Sequence, residues 1–288
     1  MTDDLTRRRN LALIHVPSFR PKQADPFSAL PLRRKVGLRR EKSLFAFTGF
    51  IAGLIVLALA LNAQAPVAVP IPKEPHHHLV LENEYVRVFR VSVPAHDATL
   101  LHQHDVPYLY VSLGPADVIN AVQGKPEARI VMADGQVGYS PGHFAHIART
   151  DAGSTFNNVT IELLHPQGEP KNRCENVVPG DKSSCTVERG ESSYTITPLF
   201  ETAEISVLFV RLRPKALFQE FPDRDRLLVA LDQATLLVQT QGKPEVNLTG
   251  GNSVWLSRLR SQTIQNSVNS PSSFLSISFK DSSLRRVY

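Results

Sequence analysis

Five residues, Gln123-Gly124-Lys125-Pro126-Glu127, reappear as Gln241-Gly242-Lys243-Pro244-Glu245, 118 positions further along a chain of 288. The match extends on both sides. At the same offset residues 105–113 (DVPYLYVSL) run parallel to 223–231 (DRDRLLVAL). With a drift of one or two, 85–91 run parallel to 204–210, Leu81-Glu82 to Phe200-Glu201, and Pro94 to Pro214. A repeat of this kind puts two copies of one fold in tandem. Within a copy the local period is that of strands. Residues 86–93 (VRVFRVSV), 108–113 (YLYVSL) and 154–164 place Val, Ile, Phe and Thr between the turn signals Gly114-Pro115, Gly124-Lys125-Pro126 and Asp134-Gly135. Each copy therefore reads as an all-β barrel or sandwich. Some 210 residues follow position 78, about a hundred per copy, enough to bury a core in each.

The first copy carries His102-Gln103-His104 and, about forty residues on, Pro141-Gly142-His143-Phe144-Ala145-His146. Residues two apart in a strand project from one face, so His102 and His104 can share one metal ion. These residues resemble the cupins, small β-barrels with a first motif G(X)5HXH(X)3-4E(X)6G and a second G(X)5PXG(X)2H(X)3N. His102 and His104 match the first motif, with Gly114 close to its closing glycine. Gly135, Pro141 and His146 match the second. The resemblance implies two jelly-roll barrels (a bicupin), a divalent metal on His102, His104 and His146, a small-molecule ligand, and dimerisation through barrel faces. Three departures stand out: Tyr108 and Leu109 occupy the glutamate's place, the second motif's glycine is shifted to Gly142, and Thr150 replaces the final Asn. Iron, zinc, manganese, nickel and copper all suit imidazole ligands.

Tyr108 and Tyr110 share the parity of His102 and His104. In an unbroken strand both face the interior, and Tyr108 is the candidate catalytic acid or hydrogen-bond donor. His143 lies three residues from His146 and reads as facing away; His96 has no motif support. The tract His76-His77-His78 reads as solvated linker, of a kind that takes up metals adventitiously.

At the offset of 118, Glu220 stands opposite His102, Pro222 opposite His104 and Ile264 opposite His146, and no histidine follows His165. The second barrel is thus degenerate, either a structural partner of the first or a metal-free pocket or oligomerisation surface.

Residues 44–61 are eighteen without a charge, long enough for a membrane span. Eleven Lys/Arg against four Asp/Glu in 1–43 keep the N-terminus cytoplasmic and send the rest across. The same stretch resembles a signal peptide, with small residues Ala63 and Ala65 for cleavage. On either reading the barrels are exported, periplasmic or extracellular. The net charge of +5 divides into +7 for 1–43 and −2 for the remainder, so the folded part offers no basic surface for nucleic acid. Cys174 and Cys185 are the only cysteines, and in an exported chain they read as a disulfide in the stretch joining the barrels. The resulting organisation is a basic tail (1–43), a transmembrane or signal helix (44–62), a linker (63–78), a metal-binding barrel (79–165), a second linker (166–190) and a degenerate barrel (191–288). Two functions fit: an exported metalloenzyme, with a dioxygenase ahead of an isomerase or hydrolase, or a non-enzymatic cupin that binds or senses a small ligand or metal at the cell envelope.

Overall fold

The Val- and Ile-rich runs are strands that close two barrels, each of two sheets, in a computed structural model describing residues 66–178, 185, 193–220, 223–231, 233–258 and 260–280. The basic tail and the helix expected over 44–62 lie outside these residues. Among the described ones, no helix is long and apolar enough to cross a membrane.

The first barrel comprises β1 (Val69–Pro70), β2 (His77–Glu82), β3 (Val86–Val93), β4 (His102–His104), β5 (Tyr108–Ser112), β6 (Ala116–Val122), β7 (Ala128–Met132), β8 (Val137–Ser140), β9 (Phe144–Arg149) and β10 (Phe156–Leu163). One sheet has the order β1-β4-β9-β6-β7 and the other β2-β3-β10-β5-β8. Strands adjacent in space are mostly distant in sequence, because the chain crosses between the sheets as a jelly roll does. The second barrel comprises β11 (Lys171–Asn172), β12 (Tyr194–Glu201), β13 (Ile205–Leu212), β14 (Leu217–Glu220), β15 (Arg226–Ala230), β16 (Thr235–Thr240), β17 (Val246–Thr249), β18 (Ser253–Leu256), β19 (Gln262–Asn266) and β20 (Ser272–Phe279). Its sheets run β11-β12-β13-β20-β15-β18 and β14-β19-β16-β17. The stretches expected as linkers contribute to both barrels. Val69–Pro70 pairs with β4, and Lys171–Asn172 with β12. The disulfide joins Cys174 to Cys185.

The register corrects the alignment of the two copies. His102 pairs with His146 in the first barrel and Phe218 with Ile264 in the second, so Phe218 stands at the His102 position and Glu220 at the His104 position. Glu220, expected opposite His102, is displaced by two positions because the connection from β14 to β15 is two residues longer than that from β4 to β5; Pro222 lies outside the described residues. Backbone conformation repeats too. The left-handed residues His96, Gly124 and Gly135 recur as Lys215, Gly242 and Gly251.

In β3, β5 and β10 successive side chains part to opposite faces. Val86, Val88, Leu109, Val111, Val159 and Ile161 point away from their own barrel into a slab shared with Ile205, Val207, Leu227, Val229, Leu275 and Ile277 of the second. This slab is the largest apolar core, and burying each such side chain stabilises by about 1.5–3 kcal/mol. Contacts across it are reciprocal. A side chain added at Gly135 would meet Leu231 and Phe209, and one at Gly251 would meet Leu113 and Arg90, the same positions of the other copy. The barrels are therefore related by a local twofold. Their interiors differ: the second is filled by Phe218, Leu228, Leu236, Ile264 and Phe274, whereas the first keeps a cavity.

Candidate metal centre

Strand pairing assembles the site. The pairing of β4 with β9 sets His146 beside His102, and the alternation of β4 puts His102 and His104 on the inner face with Gln103 exposed. Pro141-Gly142 turns the chain into β9. Gly142 takes φ +71, and the His143 N–H donates to the His104 carbonyl at 2.6 Å. The second motif's glycine position falls at 143 and the first motif's at 96. Both hold histidines at positive φ, 62 and 60. His96 and His143 are exposed in these turns and take no part in the site.

The three expected ligands are buried together. Ring centroids of His102 and His146 lie 4.5 Å apart, of His102 and His104 5.1 Å, and of His104 and His146 5.2 Å. A fourth histidine joins them. His77, in the tract read as solvated linker, is buried in β2 with its ring 4.7 Å from that of His102. His77, His102 and His104 each offer a nitrogen within 4.8 Å of the others. Only the tract itself signalled it, because β2 opens at His77 and buries one of three adjacent histidines.

The Nδ1 atoms are engaged from behind. His77 Nδ1 donates to Glu74 Oε2 at 2.5 Å, His102 Nδ1 to the Leu100 carbonyl at 2.9 Å, and His146 Nδ1 to Asn120 Oδ1 at 2.6 Å. With the proton on Nδ1, a neutral imidazole presents the Nε2 lone pair. The Nε2 atoms of His102 and His146 are buried with no hydrogen-bond partner. For His104 the outer group is Glu162, whose Oε1 lies 3.8 Å from Nδ1, too far for a direct hydrogen bond. Glu162 is wholly buried, and its Oε2 lies 2.9 Å from Arg87 Nη2 as a charge pair. Burial pushes its carboxyl up, with Arg87 opposing. Burial would also raise Glu74, but hydrogen bonds from His77 and the Leu100 N–H bring it below the ordinary range. Burial first, and the neighbouring imidazoles second, hold His102 and His104 at about 3 and His146 at about 2, so all three stay neutral near pH 7. Four converging imidazoles, three with Nδ1 hydrogen-bonded and two with a bare buried Nε2, suit a divalent transition metal. Glu74, Asn120 and Glu162 carried no motif. The hint for Glu162 was a charge inside the apolar run Val159-Thr160-Ile161-Glu162-Leu163.

Tyr108 and Tyr110 both line the cavity, as parity requires. Tyr108 lies flat on His104, with centroids 4.0 Å apart and planes at 19°. Burial pushes its phenol well above the usual range, despite the Ser140 hydroxyl at its oxygen, so it remains a donor. Tyr110 lies over Gly138, its cross-strand partner, where a Cβ would overlap the ring.

No family model matches the chain, and no curated protein matches it in sequence. Solved structures share the architecture. AerE from Microcystis aeruginosa superposes with TM-score 0.52 at 10% identity, over 72% of this chain and 99% of its own. The 11S globulin from Wrightia tinctoria, described with an auxin binding site, gives 0.51 at 9% over 73% and 82%. A cupin 2 conserved barrel domain protein from Leptotrichia buccalis gives 0.46 at 10% over 77% and 94%. The likeness to the first two is one of fold, tandem jelly-roll β-barrels.

Proposed function

We propose that the first barrel binds one divalent transition-metal ion through His77, His102, His104 and His146 and offers it to a small molecule in the adjoining cavity, on the exported side of the cytoplasmic membrane, as a metal-dependent oxidoreductase of the dioxygenase type. The observation that carries this reading is the convergence of the four imidazoles, three with Nδ1 hydrogen-bonded and two with a buried, unpartnered Nε2. When bound, iron(II) supplies dioxygen and one-electron chemistry, and zinc supplies a water of pKa about 7. The protein's own groups have separate tasks. Glu74 and Asn120 fix the tautomers of His77 and His146. Tyr108 packs on His104 and holds a proton to donate toward the cavity. The apolar walls exclude bulk water. The charge-free stretch 44–61 behind a basic leader supports export, and so does the disulfide, which persists in oxidising compartments. The slab occupies one face of each barrel, so a homodimer would use another face.

One observation favours a second reading, a binder or sensor without turnover. Four imidazoles occupy more of a metal's coordination shell than three and leave fewer positions for a substrate. Metal analysis of protein spanning 66–288 tests the common part. One equivalent of metal, lost in His102→Ala/His104→Ala, is expected; equal, near-zero metal in both overturns it. Oxygen uptake by the loaded protein with thiols and other small reductants then separates enzyme from binder.

A further inference from the structure

The cavity beside the histidines measures about 240 Å³, below the roughly 300 Å³ where pockets for drug-sized ligands begin. It holds about eight water volumes at roughly 30 Å³ each, the space of one substituted ring. One wall is apolar, built from Val118, Ile130, Met132, Phe144 and Phe156. The other presents neutral hydroxyl and amide groups from Tyr108, Tyr110, Ser140, Asn158 and Thr160. No Lys, Arg, Asp or Glu is among the described residues that line it. The nearest charges stand behind the histidines: Glu74 under His77, and Glu162, which holds Arg87.

This composition selects a ligand. A carboxylate in the cavity would find no cationic side chain, and burying an unpaired charge is far costlier than burying a hydroxyl. In the metal-free cavity both anionic groups of a dicarboxylate would be buried without a counter-ion. We propose that the molecule accepted here is uncharged, about one ring in size, with an apolar body and a single hydroxyl-type group directed toward the histidines, and that the metal-free cavity rejects small dicarboxylates. This rests on the proposed metal reading only for the orientation of that group; size and neutrality come from the cavity.

Phenol and malonate serve as probes on the full chain. Cobalt(II) uptake and its visible spectrum, measured first, test the metal reading by themselves. Both probes are then titrated into the metal-free protein, followed by saturation-transfer NMR. The expected result is phenol binding at least tenfold tighter than malonate, abolished by Ile130→Trp, which fills the apolar end, and by Ala148→Phe should the first variant fold poorly. Malonate binding as tightly as phenol, absence of phenol binding, or phenol binding unaffected by a folded filling variant overturns the proposal, whatever the cobalt result.

Discussion

Replacing Gly142 by alanine tests whether the turn that delivers His146 is pressed against the chain as described. At φ +71 an alanine pays a left-handed penalty of about 1–2 kcal/mol. Its Cβ would also lie 2.6 Å from the Val106 carbonyl carbon and would overlap the oxygen. That carbonyl cannot swing aside easily. It precedes the rigid Pro107, whose own carbonyl accepts from the Leu163 N–H at 2.8 Å. Relief therefore falls on the turn, at the expense of the His143 to His104 hydrogen bond, worth about 0.5–1.5 kcal/mol. Residual overpacking adds about 1–3 kcal/mol. The sum is about 3–6 kcal/mol, against about 1–2 for Gly114→Ala, which has φ +94 and nothing within 4 Å of its Cβ. At about 2–4 °C per kcal/mol for a chain of this size, the melting temperature of metal-free Gly142→Ala should fall at least about 3 °C further than that of Gly114→Ala. Calorimetry of the two variants side by side is the assay. Equal melting temperatures would refute the close approach of the turn to Val106.

Other expectations concern the same protein. His96→Gly and His143→Gly restore the flexible residue where backbone φ is 60 and 62. Relief of left-handed strain, about 1–2 kcal/mol, outweighs the entropy of glycine, about 0.5–1 kcal/mol, so each should raise the denaturant midpoint slightly; a lowered midpoint would contradict it. The unfolded chain binds protons to His102, His104 and His146 below about pH 6.5, while the folded chain resists to about 3 or 2. Stability of the metal-free protein is thus full above pH 6.5 and declines as pH falls from there, by up to about 1.4 kcal/mol per unit per histidine, and urea titrations at pH 7.5 and 5.5 should differ accordingly. Leu109→Ala empties a wholly buried position in the slab. It should cost about 2–5 kcal/mol while leaving metal stoichiometry unchanged, since Leu109 faces away from the histidines. Reducing the Cys174–Cys185 bridge should cost about 3 kcal/mol, read as a lower denaturant midpoint with reductant.

How much of this was legible in the sequence depended on whether the signal was periodic. Strand alternation placed His102, His104, Tyr108 and Tyr110 on one inner face because it is a local property of extended chain, and the match to the second motif added His146. His77 was not legible: β2 pairs with its neighbour β3, but the burial of His77 comes from the rings of His102 and His104 in the facing sheet. Glu162 and Glu74 escaped for a related reason: a carboxylate that backs an imidazole needs proximity in space and no fixed spacing. Drift of the repeat concealed the counterparts of the metal-site strand, because the two extra residues before β15 move the offset locally from 118 to 116.

The reciprocal contacts of Gly135 and Gly251 bear on how the two halves hold each other. A twofold contact is what a single barrel makes with a copy of itself, so the slab has the form of a homodimer interface held within one chain. Each half is held by its share of the slab irrespective of what its interior contains: Leu227, Val229 and Ile277 are buried there, and no histidine follows His165. Phe218 and Ile264 stand where the first barrel has His102 and His146, and a single histidine placed at either would lodge a polar ring among apolar side chains. A matching cluster in the second barrel could therefore not be built one residue at a time.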